Sequence, residues 1–188
     1  MAPMSTPGAP RRYGYVGPED IRRAALLDAG GGRVIRSAAD LDAYVSDEGE
    51  PYTYVVGLDG LLRLAPRRSE HVACADGGDV LGAGEISLRR GPDGWEVLEI
   101  SNQSTGYCPD PDSWPAVAAA LDRLGVGRPD RFTHALVFRR CEHCGERNVV
   151  REAVFVCVFC DADLPHAWNL GAATQGSASD RRGPTPGQ

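Results

Sequence analysis

Two Cys-x-x-Cys pairs, Cys141/Cys144 and Cys157/Cys160, stand twelve residues apart in the stretch "CEHCGERNVVREAVFVCVFC". Zinc takes four soft ligands in a tetrahedron, and thiolate is its best protein ligand. A Cys-x-x-Cys knuckle presents two sulfurs from one tight turn, which Gly145 helps to close. The segment "ERNVVREAVFV" between the pairs is long enough for two short strands and a turn, so a hairpin returns the second pair beside the first. The spacing predicts a four-cysteine zinc ribbon with Cys141, Cys144, Cys157 and Cys160 as ligands to one structural zinc per chain. A redox dithiol pair is the competing reading. His143 sits between two sulfurs of a knuckle and is expected to point outward; His166 also lies nearby.

The charge around these cysteines bears on their role. Residues 131–163 hold five arginines and five acids, which cancel, and four thiolates around Zn²⁺ leave the site formally −2. A ribbon that reads DNA should be basic. Closed all-cysteine sites leave no coordination position for water, so a structural role is expected, with a protein-docking surface as the alternative.

The whole chain has 188 residues and a formal net charge of −6, which argues against nucleic acid as a partner. All twenty basic residues are arginine. That excludes Schiff-base and P-loop lysine chemistry, and the accompanying Ala, Gly, Pro, Asp and Val bias suggests a high-GC bacterial genome. The opening "MAPMSTPGAPRRYGY" lacks the apolar run of a signal peptide, and no segment has the length of a membrane span. A cytoplasmic chain with reduced thiols is expected.

Periodicity places a helix over 18–30 and a second after Ser37, where Asp40 completes the pattern of a capping box. "YTYVVGL" and "LLRLA" read as strands joined by a type I′ turn at Asp59–Gly60, and "DVLGAGEISLRR" pairs with "WEVLEISN" around "GPDG". The two glycines of "LGAGE" mark a bulge or a close backbone approach. "DSWPAVAAALDRLGV" is an amphipathic helix, and "FTHALVFRR" a strand running into Cys141. The resulting expectation is an α+β fold: an antiparallel sheet built from hairpins, two to three flanking helices, and the C-terminal ribbon hairpin. The expected divisions are a disordered lead-in over 1–12, the α+β domain over 13–140, the ribbon over 141–165 and a disordered tail over 166–188.

Outside the ribbon, a candidate catalytic set comprises His71 as general base, Glu85 to orient it, Cys108 as nucleophile and Tyr107 beside it. Arg67 and Arg68 are the available source of a thiolate-favouring field. Buried, inert thiols at Cys74 and Cys108 are the plainer reading, and a second metal site of His71, Cys74 and Cys108 is a third. An ADP-ribosyltransferase-like arrangement would cast Arg68 or His71, Ser101 and Glu99. Trp95, Trp114 and Trp168 are candidate binding anchors or core residues.

The order of a hairpin, a histidine, a Gly-rich turn, "AGE", a second hairpin and a Ser-x-Gly-Tyr-x-Pro loop resembles the central domain of plant calmodulin-binding proteins of the IQM group. It is similar also to bacterial proteins of the same pattern. The resemblance covers about residues 52–126. The family loop reads Ser-Gly-His-Tyr-x-Pro; here "STGYCP" keeps Ser104, Tyr107 and Pro109, while Gly106 stands where the histidine would be. No calmodulin-binding IQ helix is visible.

No Walker A, Rossmann, Gly-x-Ser-x-Gly or His-Glu-x-x-His motif occurs, and no His-x-Glu partner of a zinc deaminase. Two readings remain: a binding or regulatory module with structural zinc, meeting a protein or a small molecule, and a small transferase or hydrolase centred on His71, Glu85, Tyr107 and Cys108.

Overall fold

The computed structural model describes residues 9–27, 31–46 and 48–171. Residues 1–8 of the expected lead-in (1–12) and 172–188 of the expected tail (166–188) lie outside the described residues. Helix α1 (Glu19–Leu27) and strand β1 (Arg33–Ile35) come first, followed by helix α2 (Ala38–Tyr44). Ser37 caps α2: its hydroxyl accepts from the Asp40 N–H, and the Asp40 carboxylate accepts from the Ser37 N–H.

Strands β2 (Pro51–Gly57) and β3 (Leu62–Ala65) form the first hairpin. Its turn differs from the expected type I′. The Gly60 N–H donates to the Gly57 carbonyl at 2.9 Å, and the Gly57 N–H to the Leu61 carbonyl at 3.1 Å. Only Gly60 of the loop has positive φ, +74°. That is a three-residue loop, a type I turn followed by a left-handed glycine. Asp59 leaves the left-handed position to Gly60 and instead holds Arg63 through both carboxylate oxygens.

A short helix, α3 (His71–Cys74), precedes the long strand β4 (Val80–Gly91), which turns at Pro92–Asp93 into β5 (Gly94–Ile100). The five strands make one antiparallel sheet in the order β1-β3-β2-β4-β5. Both faces are covered. Tyr52, Tyr54 and Val56 of β2 turn to one face, where they meet Leu41 of α2 and Val117 and Leu121 of helix α4 (Trp114–Arg123). Val55 turns to the other, among Tyr13, Val72, Cys74 and Tyr107. This alternation is the period of a strand buried on both sides.

The glycines of β4 explain how that packing closes. A Cβ at Gly82 would lie 2.5 Å from Val117 Cγ2, so α4 rests on the strand there. A Cβ at Gly84 would lie 2.0 Å from the Ser101 carbonyl oxygen, so the chain leaving β5 crosses directly over it. The register also shifts between Val56 and Gly57, a bulge that carries Leu81 out of alternation. Helix α4 ends in a Schellman motif: Gly125 has φ +68°, and Val126 and Gly125 donate to the Leu121 and Asp122 carbonyls.

The strand read from "FTHALVFRR" is β6 (Val137–Arg140), and it pairs with β7 (Arg147–Val150) rather than with the main sheet. It is therefore the first strand of the ribbon hairpin, and all four of its residues fall inside the region assigned to the α+β domain. Residues 166–171 also pack against the main body. Leu170 is fully buried with Cys108 and Phe138, and the Trp168 ring meets Tyr13 edge-on at 5.2 Å. Trp95 and Trp114 are core residues as well, packed with Ile100 and Phe132. Among the described residues no helix is long and apolar enough to cross a membrane.

Candidate metal centre

The hairpin β6–β7 brings the first knuckle, Cys141 and Cys144, beside the second, Cys157 and Cys160. The two knuckles are built alike. In the first, the Gly145 N–H donates to the Cys141 carbonyl and the Cys141 N–H to Glu146. In the second, the Asp161 N–H donates to Cys157 and the Cys157 N–H to Ala162. The residue after each second cysteine is left-handed: Gly145 at φ +81° and Asp161 at +59°. Aspartate is among the few non-glycine residues that tolerate this region, so the second knuckle closes without glycine.

All four Sγ atoms lie within 4.8 Å of one another. Cys141 to Cys160 and Cys144 to Cys157 each measure 3.6 Å between sulfurs. A tetrahedron with metal–sulfur bonds of about 2.3 Å has edges of about 3.8 Å, whereas a disulfide closes to about 2.05 Å. The arrangement is a set of four free thiols that can hold a metal ion. Cys141 and Cys157 are buried, Cys160 half-buried and Cys144 exposed.

Electrostatics within the set are uneven. Burial raises the Cys157 thiol, but the Phe159 N–H, the Asn148 amide and the Cys160 N–H point at its sulfur, and the net effect is a lowered pKa. At Cys144 and Cys160 the backbone N–H groups of Glu146 and Ala162 pull the thiol down, but burial, followed by the sulfurs of Cys141 and Cys157, outweighs them and raises both above the ordinary thiol value. Four thiolates cannot share this volume without a cation between them.

Asn148 is the residue that sequence reasoning missed here. It is 4% exposed on β7. Its Nδ2 donates to Cys157 Sγ at 3.5 Å and to the Glu146 carbonyl, and its Oδ1 accepts from the Val158 N–H at 3.0 Å. One side chain thus joins the two knuckles. Such outer contacts orient metal ligands. Its only sequence signal is a polar residue in an otherwise β-branched run. His143 is exposed, as expected, and the His166 ring lies on Phe155 at 4.1 Å.

The central candidate residues are placed differently from a catalytic set. His71 opens α3, and its Nε2 is 3.0 Å from the Gly84 carbonyl oxygen. Burial lowers its pKa, opposed by that carbonyl and by Glu85, which acts through space without a hydrogen bond to the ring. Tyr107 is fully buried, and its hydroxyl donates to the Gly78 carbonyl at 2.6 Å. Cys108 is 2% exposed, its Sγ bonded to the Thr105 carbonyl and approached by Arg147 Nη1 at 3.8 Å. Burial raises this thiol more than Arg147 lowers it. Cys74 is buried, and burial pushes its thiol up to about 12. Among the described residues, no hydrogen bond joins His71 to Cys108, and the four-cysteine set is the one metal-competent group.

Glu85 belongs instead to an open cleft of about 240 Å³ with Arg67, Glu99, Ser101 and His134. There the Ser101 hydroxyl accepts from the Glu85 N–H, and His134 stands 3.8 Å from Glu99. Gly106, where the loop it was compared with in sequence carries a histidine, faces Tyr15: a Cβ there would fall 2.7 Å from the ring. A histidine at 106 has no room while Tyr15 lies on Tyr107, 5.7 Å between ring centres. Comparison with known proteins gives no match to a family model, to a curated protein or to a solved structure.

Proposed function

We propose that this chain is a binding module, stapled by one structural zinc ion at Cys141, Cys144, Cys157 and Cys160, that docks a protein partner on its ribbon. The observation that carries this reading is the outer face of the ribbon. Val158 is 75% exposed, Phe159 63% and Val154 58%. Large apolar side chains grouped in this way mark an interaction surface more often than scattered ones do. Four thiolates complete a tetrahedron, so zinc at this site has a structural part and offers no open position for substrate. The burial of Cys108 and, among the described residues, the absence of a hydrogen bond between it and His71 agree with this reading.

A small transferase or hydrolase is the second reading, and one observation favours it: Glu85, Glu99 and Ser101 line the same cleft with Arg67 and His134. Elemental analysis of the purified chain with timed alkylation at neutral pH separates the two. One zinc per chain, with Cys108 unmodified until unfolding, is the result expected of the binding module. A second metal equivalent, or rapid labelling of Cys108, moves the chemistry to the central domain.

A further inference from the structure

We infer that the partner segment seated on the ribbon is cationic and amphipathic, a peptide stretch that presents arginine or lysine around an apolar stripe. The inference rests on the docking reading above and adds the partner's chemistry.

The register of the ribbon shows which side chains share the outer face. Arg151 bridges Val154, and continuing that antiparallel register sets Val149 opposite Val156 and Asn148 opposite Cys157. Asn148 indeed reaches the Cys157 sulfur. Directly opposed residues project to one face. Val149, Val154 and Val156 therefore look outward, while Val150 and Phe155 turn in toward Cys141, Cys157 and Leu164. Val156 also bridges Asp163, so Asp163 stands on the outward side of the same row. Val158 and Phe159, the two residues between the cysteines of the second knuckle, are the next exposed apolar side chains along the chain.

The charge around that face is one-sided once the engaged arginines are set aside. Arg139 is 5% exposed and bound to Asp110, and Arg147 donates to the Thr105 carbonyl at 2.7 Å. Arg140 is half-buried beside the Gly145 carbonyl. Arg151 remains as the exposed cation within the ribbon, with Arg131 exposed just before it. Against it stand Glu142, Glu146, Glu152, Asp161 and Asp163, all exposed, and none in an ion pair among the described residues. A divalent metal with four thiolates adds a further formal −2. Of the five arginines that balance residues 131–163, Arg131 precedes the ribbon and Arg139 is neutralised by Asp110, which leaves Arg140, Arg147 and Arg151 against five carboxylates on the ribbon itself. An apolar face rimmed by unpaired carboxylates complements a segment with cations flanking apolar side chains, and opposes an anionic membrane or a nucleic acid.

The test titrates the full-length zinc-loaded chain into three labelled peptides of equal length and follows fluorescence anisotropy. One alternates leucine with lysine at helical spacing, one replaces every lysine with glutamate, and one keeps the lysines but replaces leucine with glycine. Neutral phosphatidylcholine vesicles serve as a fourth probe, and the double variant Val158→Ser, Phe159→Ser is run beside the parent with its zinc content and melting checked. The expected result is at least tenfold tighter binding of the lysine–leucine peptide than of the other two, lost in the variant and weakened by salt. Equal binding of the lysine and glutamate peptides, both lost in the variant, keeps a docking face but overturns the cationic partner. Binding that survives the variant, binding of no peptide, or preference for vesicles overturns the docking reading and this inference together.

Discussion

Arg139 on the first ribbon strand donates from Nη1 to Asp110 Oδ1 at 3.1 Å, and both side chains are at least nine-tenths buried. Asp110 lies in the segment that leads into helix α4, so this pair fastens the ribbon to the main sheet's domain. Arg139 donates further to the Phe138, Pro165 and His166 carbonyls, which leaves its guanidinium with five accepting contacts. Removing one partner of such a pair strands the other charge out of water, at about 3–5 kcal/mol. Asp110→Ala is expected to lower the urea midpoint accordingly while retaining the metal. An Asp110→Ala variant within about 0.5 kcal/mol of the parent would mean that the pair is solvated and that the ribbon is fastened elsewhere.

Cys157 is the thiol of the four-cysteine cluster on which both Asn148 and two backbone N–H groups converge. Because a metal site's binding energy is also folding energy, Cys157→Ser is expected to lose the metal and the order of the ribbon. The Arg139–Asp110 pair and the buried Leu170 tie the ribbon to the main domain, so thermal melting should fall as well. Metal content by elemental analysis and melting by circular dichroism read the two effects separately. Unchanged values of both would remove the tetrathiolate assignment. Asn148→Ala should keep one metal per chain but weaken its retention against a chelator by about 10–100-fold.

The ribbon was legible in the sequence because cysteine spacing is a covalent constraint on local geometry. The capping box at Ser37 was legible for the same reason, since it depends on residues within one turn of helix. What could not be read was set by long-range packing. "FTHALVFRR" looks like any strand, and only the pairing of Val137–Arg140 with Arg147–Val150 assigns it to the ribbon. His71, Glu85 and Cys108 are close in the linear pattern, yet α3, the face of β4 and the positive-φ turn at Cys108 aim them at different neighbours. The turn at Asp59–Gly60 carried the right residues for type I′, but the extra residue Leu58 gives a three-residue loop instead.

Cys74 makes an alkaline pH dependence testable. Its thiol rises from 9.0 to about 12 in the folded chain, chiefly through burial, with Arg63 opposing. The unfolded chain releases this proton near pH 9 and the folded chain holds it to about 12, so protonation favours the folded state. The stabilisation is complete below pH 9 and is lost as the pH rises from about 9 to about 12. The loss amounts to roughly 1.4 kcal/mol per pH unit within that window. Urea midpoints of the parent and Cys74→Ala should therefore draw together between pH 9 and pH 10.5, with the parent falling faster. Parallel pH profiles would show that the thiol is solvated in the folded chain.

Gly84 offers the sharpest test of how β4 is covered. A methyl group there would meet the Ser101 carbonyl oxygen at 2.0 Å and the Asn102 Cα at 3.1 Å, both backbone atoms that no rotamer change can move. Ser101 is held in place on several sides: its carbonyl accepts from the fully buried Tyr54 hydroxyl at 2.8 Å, and its N–H donates to Glu85. Asn102 is equally fixed, with Nδ2 on the Pro109 and Leu136 carbonyls and Oδ1 on the Leu136 N–H. Shifting this crossing to admit a methyl group is expected to cost Gly84→Ala about 3 kcal/mol, the upper end of overpacking in a filled core. Gly78→Ala is the control, since its nearest contact is 3.3 Å from the Ala75 carbonyl at the surface end of α3. Urea denaturation of the two variants should separate them by at least 1.5 kcal/mol, an estimate within that same overpacking range. Equal midpoints would mean that the segment after β5 yields, and with it the close crossing that holds Glu85 and Ser101 at one cleft.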